Sequence, residues 1–349
     1  MPRLPAEWEP QWGVMLTWPH VETDWAEHLY EVEAVYDRIA ALIAARESVL
    51  IVCRDQEHRR RSAGRLATAG LPNSRLLLAI APSNDTWARD HGPVCVLGAN
   101  GTAELVDFRF NGWGGKYPAD KDDRITARLH AAGCFGDAAL VSSPLVLEGG
   151  AIDSDGVGTL LAVRRTLVDP ARNRGWTEEQ IETELRARLG SERILWLEHG
   201  QLSGDDTDGH IDTLARFCDP ATICYVQSQD RADADHAELS AMEQELRALR
   251  RADGRPYRLI PLPQPAPILT PDGRRLPATH ANFLIIDGAV LVPVYDDPTD
   301  QIALSRLQDR FSDRKVLPVD CRALIRQGGS LHCITMQLPA ALSPTHQRP

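Results

Sequence analysis

Apolar residues recur at helical spacing in four stretches of the chain. Leu29, Val32, Val35, Tyr36, Ile39, Leu42 and Ile43 fall on one face of a helix over residues 25–46. Thr177 and Gln180 have the spacing of a capping box, and Ile181, Leu185 and Leu189 form the stripe behind it. Leu239, Met242, Leu246 and Leu249 make a third stripe, in which Met242 reads as core and not as a cofactor ligand. Leu304, Leu307 and Phe311 suggest a fourth helix.

A second pattern lies between these helices. GPVCVLGANGTAELVDF (residues 92–108), AIDSDGVGTLLAV (151–163), HIDTLARFCDPATICYV (210–226) and ANFLIIDGAVLVPVY (281–295) each read as strand, tight turn, strand. The turns GANG, SDG, CDPA and IDG carry the Gly, Asp and Pro residues that hairpin geometry favours. Cys333, Ile334 and Thr335 start one more strand. The chain is thus about five strand-rich units with helices interspersed, an α/β protein with internal pseudo-repeats. No Ser- or Gly-rich linker divides it, and the proline-rich stretch 261–277 reads as a loop, so residues 1–349 are expected to form a single catalytic domain.

Composition narrows the function classes. The 349 residues are 43% apolar and 25% charged, as in an ordinary globular protein. A net charge of −11 with no basic run argues against a nucleic-acid partner, whose phosphates demand a Lys/Arg footprint. It is compatible with a small cationic substrate. No apolar run is long enough to span a membrane, and the first residues lack a signal-peptide pattern. Seven cysteines without a CxxC pair point to a reducing, cytoplasmic location. A homodimer is left open.

Polar residues recur where the strand units begin. Asp90 precedes the first unit, Glu148 opens the second, His210 and Asp212 the third, Asn282 the fourth and Cys333 the fifth. Units arranged around an axis would bring these ends together. On a strand, His210 and Asp212 would share a face. Cys333 follows the Gly328-Gly329 pair at a loop-to-strand junction, where a thiol is either an exposed nucleophile or a small buried hydrophobe. Asp205, Asp206 and Asp208 raise a calcium loop but lack the EF-hand glycine and terminal glutamate. FNGWGGKY (110–117) is either a packed turn or a loop wall that stacks on a planar cation.

A thiol, a histidine and several carboxylates suit attack on a carbon that already carries positive charge. A guanidinium is such a group: planar, permanently charged, and gripped bidentately by carboxylates. Asp90 and Asp212 would hold it and aim its carbon at Cys333, with His210 as general acid and then base. No oxyanion forms on such a path, and neither metal nor cofactor is required. The cysteines and histidines are also not clustered as a zinc site demands.

WARDHGP, NGWGGKY, LEGGAI, DDTDGHID and LHCITMQ, in that order, with EWEPQWGVMLTWPH at residues 7–20, resemble the agmatine deiminase and bacterial-type peptidylarginine deiminase family. That family belongs to the guanidine-modifying pentein superfamily. The resemblance implies a five-bladed α/β propeller with pseudo-fivefold symmetry. It places the nucleophile at Cys333, the His-x-Asp pair at His210 and Asp212, and the guanidinium-binding aspartate at Asp90, with Trp87 in the same W-x-x-D motif. The family's LEGG glutamate matches Glu148, and its acidic position four before the histidine is Asp206, where glutamate is commoner. The implied reaction is hydrolysis of agmatine to N-carbamoylputrescine and ammonia through a covalent thiouronium.

Departures fall around the catalytic set. The chain reads GGSLHC where commoner agmatine deiminases read GGGNIHC, and Asp208 stands where they carry asparagine. The substrate amine would need its own contact, for which Asp206 and Trp113 are candidates. Lys116 hints instead at a substrate with a carboxylate, such as free or peptidyl arginine. An amidinotransferase and a non-catalytic guanidine or polyamine binder are the remaining rivals.

Overall fold

The computed structural model describes residues 2–342. Its sheets repeat one topology. In the first, Val94–Leu97 and Ala103–Arg109 form an antiparallel hairpin, and Ala139–Val146 then joins parallel to the second strand. The order recurs for Ile152–Ser154, Thr159–Val163 and Arg193–Leu197, for Ala215–Asp219, Thr222–Gln227 and Arg258–Pro263, and for Leu284–Ile286, Ala289–Val294 and Lys315–Asp320. A parallel neighbour needs a crossover, and helices supply it: Glu178–Leu189, His236–Ala248 and Thr299–Arg310 in these last three units.

One more sheet is built from both ends of the chain. Thr335–Pro339 pairs antiparallel with Gln11–Thr17, which pairs parallel with Ser48–Cys53, and Leu76–Ile80 follows. Its first crossover is the helix Leu29–Ala44, which buries Val32, Tyr36, Ile39 and Ile43, the stripe expected from the spacing. The proline-rich stretch 261–277, expected as a loop, is not loop throughout: residues 261–263 end the strand Arg258–Pro263, and a short hairpin, Ile268–Leu269 with Arg275–Leu276, lies in the rest.

The hairpins form where the turn residues indicate, but the parallel third strands carry little sequence signal. Ala139–Val146, Arg258–Pro263 and Lys315–Asp320 each contain proline, and most of their residues are at least partly exposed. These are edge strands, where proline is tolerated and clean alternation is not enforced. The helix Gln56–Thr68 is equally faint, because the buried positions on it are His58, Ser62 and Leu66, only one of them apolar. Asp55 starts it by accepting the His58 amide. The capping box expected at Thr177 and Gln180 is present. Among the described residues no helix is long and apolar enough to cross a membrane.

Candidate active site

Each polar residue that opens a strand unit sits just ahead of the first strand of its sheet. Asp90 lies on the short helix Ala88–His91, four residues before Val94. Glu148 precedes the turn Gly149–Ala151, and Cys333 lies two residues before the strand Thr335–Pro339. His210 and Asp212 require a correction. They stand on the 3-10 turn Ile211–Thr213 and its cap, not on a strand, which begins only at Ala215. The turn still delivers both side chains to the site, each 1% exposed.

The side chains converge. The Cys333 Sγ lies 3.8 Å from Asp212 Oδ2 and 3.3 Å from Asn282 Nδ2, and the same amide donates to the Asp212 carbonyl. The His210 ring stands between two carboxylates, with Nδ1 3.6 Å from Asp90 Oδ1 and Nε2 3.5 Å from Glu148 Oε2. Asp90 is held from both sides: the Gly150 amide donates to Oδ1 at 3.1 Å and Trp113 Nε1 to Oδ2 at 2.9 Å. Trp113 makes that bond from a left-handed backbone (φ 55°), a conformation a bulky residue rarely adopts, within a run where Gly112, Gly114 and Gly115 also have positive φ.

These groups meet a pocket of about 690 Å3. Trp87, Asp90, Trp113, Asp206 and Cys333 line it. His210, Asp212 and Glu148 stand behind that lining. The Glu148 carboxylate receives the Arg172 Nε at 2.9 and 3.0 Å, and Arg172 also bonds Asp169, Asp208 and the Thr207 carbonyl. Trp87 donates to Asp85, and Asp206 accepts the Tyr117 hydroxyl at 2.7 Å. Lys116 Nζ is bound by the Asp208 carboxylate at 2.7 Å and by the Asp206 carbonyl, so it is not free to receive a substrate carboxylate.

Burial and charge set the protonation states. Burial penalises a charged His210, but Asp90, Glu148 and Asp212 outweigh it and raise its pKa to about 9. Burial pushes Asp90 up to about 6, against the pull of His210. Burial also opposes ionisation of Asp212, yet His332, His210 and Arg216 hold its carboxyl below the usual range. The Cys333 thiol is driven well above its ordinary value by burial and then by Asp212 and Asp90. The resting site therefore holds a neutral thiol, a protonated imidazole and an excess of carboxylate, which suits a cation.

Two glycines make room for this packing. A Cβ on Gly329 would lie 2.2 Å from the Trp87 ring. One on Gly150 would lie 2.6 Å from His210 Nδ1 and 2.9 Å from Asp90 Oδ1. Gly150→Ala is therefore expected to force the His210–Asp90 contact apart and to lower kcat by about 10²-fold, as misplacement of a reacting group by about 1 Å does. Steady-state kinetics with thermal melting checks this, since a change in the fold alone would lower the melting temperature without singling out kcat.

Arg172, Glu7 and His332 belong to this network, although spacing and motif logic did not single them out. Arg172 lies in ARNRGW, which has no motif character. Glu7 and His332 lie inside quoted motifs, but 325 positions separate them, and only the closed fold joins them.

Comparison with known proteins agrees with the ordered motifs. The model of the Porphyromonas-type peptidyl-arginine deiminase family matches residues 3–339. A Vibrio parahaemolyticus protein provisionally named agmatine deiminase is 34% identical over 357 residues, covering 97% of this chain and 96% of the relative. A C. jejuni agmatine deiminase, a cysteine-to-serine variant solved with substrate bound, is 33% identical with a TM-score of 0.89, covering 97% of this chain and 96% of that one. A Porphyromonas gingivalis structure provisionally named arginine deiminase is 50% identical with a TM-score of 0.90, covering 98% of this chain and 99% of that one. With matches that run nearly end to end and a pocket floored by a thiol and carboxylates, the chain belongs to the Porphyromonas-type peptidyl-arginine deiminase family.

Proposed function

We propose that the protein is an agmatine deiminase, hydrolysing the guanidinium of agmatine to N-carbamoylputrescine and ammonia through a thiouronium on Cys333. The observation that carries this reading is that Cys333 and Asp90 line one pocket, with Asp212 against the thiol and a protonated His210 beside Asp90. An excess of buried carboxylate waits for a cation, and a guanidinium supplies both the charge and the N–H donors.

Burial, and then the negative field of Asp212 and Asp90, hold Cys333 protonated, and binding of the cation offsets the field. The thiol then loses its proton, and Sγ attacks the guanidinium carbon to form a C–S bond. His210 protonates one terminal nitrogen, the C–N bond breaks, and the nitrogen leaves as ammonia, which takes up the released proton. Neutral His210 next deprotonates a water as it adds to the thiouronium carbon. The C–S bond breaks, the hydroxyl proton of the tetrahedral adduct passes to the leaving sulfur and restores the thiol, the neutral ureido product departs, and His210 is again protonated. Glu148, anchored by Arg172, keeps the His210 ring in place and supports its charge.

Asp206, at the pocket wall, is the contact for the distal amine of agmatine. Trp113 forms the wall between it and Asp90, with its single N–H already committed to Asp90. The repeated hairpin-and-crossover order, with the two chain ends sharing one sheet, supports a single domain built as a five-bladed propeller whose strand entries face the axis. Seven cysteines, none in a disulfide, suit a reducing cytoplasm.

A second reading, free or peptidyl arginine as substrate, has one observation in its favour. Arg274 lines the pocket, and no carboxylate pairs with it among the described residues. Its guanidinium would receive a substrate carboxylate. Ammonia and ureido product measured with agmatine, arginine and a peptidyl arginine decide between them. Turnover of agmatine above the other two is expected. Preference for arginine would overturn the substrate, and no turnover of any would overturn the deiminase.

A further inference from the structure

The buried charges continue behind Asp212. His332, the residue before the thiol, is 2% exposed. Its Nδ1 lies 2.7 Å from Asp212 Oδ2 and its Nε2 lies 2.7 Å from Glu7 Oε2. Glu7 is anchored in turn: Arg216 Nη2 donates to Oε2 at 2.9 Å and the Ile285 amide to Oε1 at 2.7 Å. Each nitrogen of the ring thus faces a carboxylate oxygen, and both contacts are hydrogen bonds only when both nitrogens carry a proton.

The ring does not reach substrate. It lines a separate cavity of about 40 Å3 with Glu7 and Arg89, not the pocket that Asp90 and Cys333 line. Its effect must pass through Asp212. There it ties down Oδ2, while Asp212 Oδ1 is buried with no hydrogen-bond partner among the described residues. A carboxylate pinned by one oxygen presents the other in a fixed direction, which is what a bidentate or aimed contact with a guanidinium needs.

We propose that His332, braced by Glu7, is a positioning residue of the deiminase reaction: it fixes the Asp212 carboxylate so that Oδ1 faces the guanidinium. This rests on the deiminase reading above. It also gives the start of the chain a part in the site, since Glu7 stands ahead of the first strand and reaches across to the residue beside the nucleophile.

A double-mutant cycle tests it. His332→Gln keeps the size and one amide donor but cannot donate at both ends, and Asp212→Asn removes the group through which it should act. Two readouts are taken: kcat/KM for agmatine, and the ratio of labelling rates of Cys333 by 2-chloroacetamidine and by 2-chloroacetamide. These reagents differ only in that the first is an amidinium. His332→Gln is expected to lower both readouts about 10- to 100-fold, the usual cost of losing a partner that orients a reacting group. In the Asp212→Asn background the same change should move each by less than about threefold, because the two residues act as one unit.

Equal losses in both backgrounds, or an unchanged labelling ratio in a folded His332→Gln protein, overturn the proposal. If the native protein turns over no guanidine, the deiminase reading fails and the positioning role in that reaction falls with it, while the labelling ratio still shows whether His332 aims Asp212 at a bound amidinium. If His332→Gln does not fold, Glu7→Gln takes its place in the cycle. It leaves the ring but removes its charged anchor, and it is expected to lose about tenfold in the same non-additive way.

Discussion

Cys333→Ala is expected to lose agmatine turnover by at least about 10⁴-fold while its melting temperature moves little. A covalent route has no substitute for its nucleophile, and deleting one member of a catalytic unit costs nearly as much as deleting all. The structural cost is small, because a buried thiol replaced by a methyl loses about 1 kcal/mol. The same thiol has a second signature. Burial, Asp212 and Asp90 hold it protonated, so a neutral alkylating agent should react slowly at pH 7 and faster as the pH rises. A cationic amidine compensates the carboxylates as it arrives and should label Cys333 at neutral pH. Mass spectrometry of the labelled peptide, with turnover measured in parallel, checks both. Native-level turnover by the alanine variant would remove Cys333 from the mechanism. Rapid labelling by the neutral agent at pH 7 would mean a preformed thiolate.

The hairpins were legible because a tight turn needs particular residues, and GANG, SDG, CDPA and IDG carry them between apolar runs. The residues that open each hairpin were legible for a related reason. A polar side chain placed just before a buried strand has nowhere to go but an end of the sheet. The parallel third strands were not, since an edge strand tolerates the proline and exposure that mask its pattern. The supports of the site were hidden by distance along the chain. Arg172 reaches Glu148 from 24 positions away, and Glu7 meets His332 across nearly the whole sequence. His332 stood in plain view within LHCITMQ, but its partners are fixed only when both chain ends enter one sheet. Local spacing also misjudged His210 and Asp212. A separation of two puts side chains on one face of a strand, yet an extended His210 followed by the 3-10 turn Ile211–Thr213 brought the same two into the same site.

Asp90→Asn and Asp212→Asn are each expected to lose about 10²- to 10³-fold in kcat/KM for agmatine, the loss seen when one preorganised electrostatic contact to a reacting group is removed. Their stabilities should part. Asp90 has its folded pKa raised to about 6 from 3.8, chiefly by burial. A carboxyl raised in this way favours the folded state below its unfolded value, and that contribution is lost as the pH rises through about 6. At pH 8 the ionised Asp90 is therefore a cost to the substrate-free protein, which offsets the Gly150 or Trp113 donor that an asparagine amide leaves without an acceptor, so the asparagine variant should lose less melting temperature than Asp212→Asn. Asp212 has the opposite sign. His332 holds its carboxyl below the usual range, so its contribution is present above the unfolded value and lost only as the pH falls through the lowered one. Asparagine there takes away a charged hydrogen bond worth about 1.5–3 kcal/mol and leaves His332 with one carboxylate instead of two. Asp212→Asn should consequently melt several degrees lower at pH 8. A saturating guanidine ligand should raise the melting temperature of the native protein, because it relieves the cost at Asp90. It should raise that of Asp90→Asn by much less, because there is no charge left there to relieve. Native-rate turnover by either variant would show that the carboxylates are not a clamp. Equal ligand-induced shifts in the native and Asp90→Asn proteins would show that the buried charge at Asp90 is not what the cation answers.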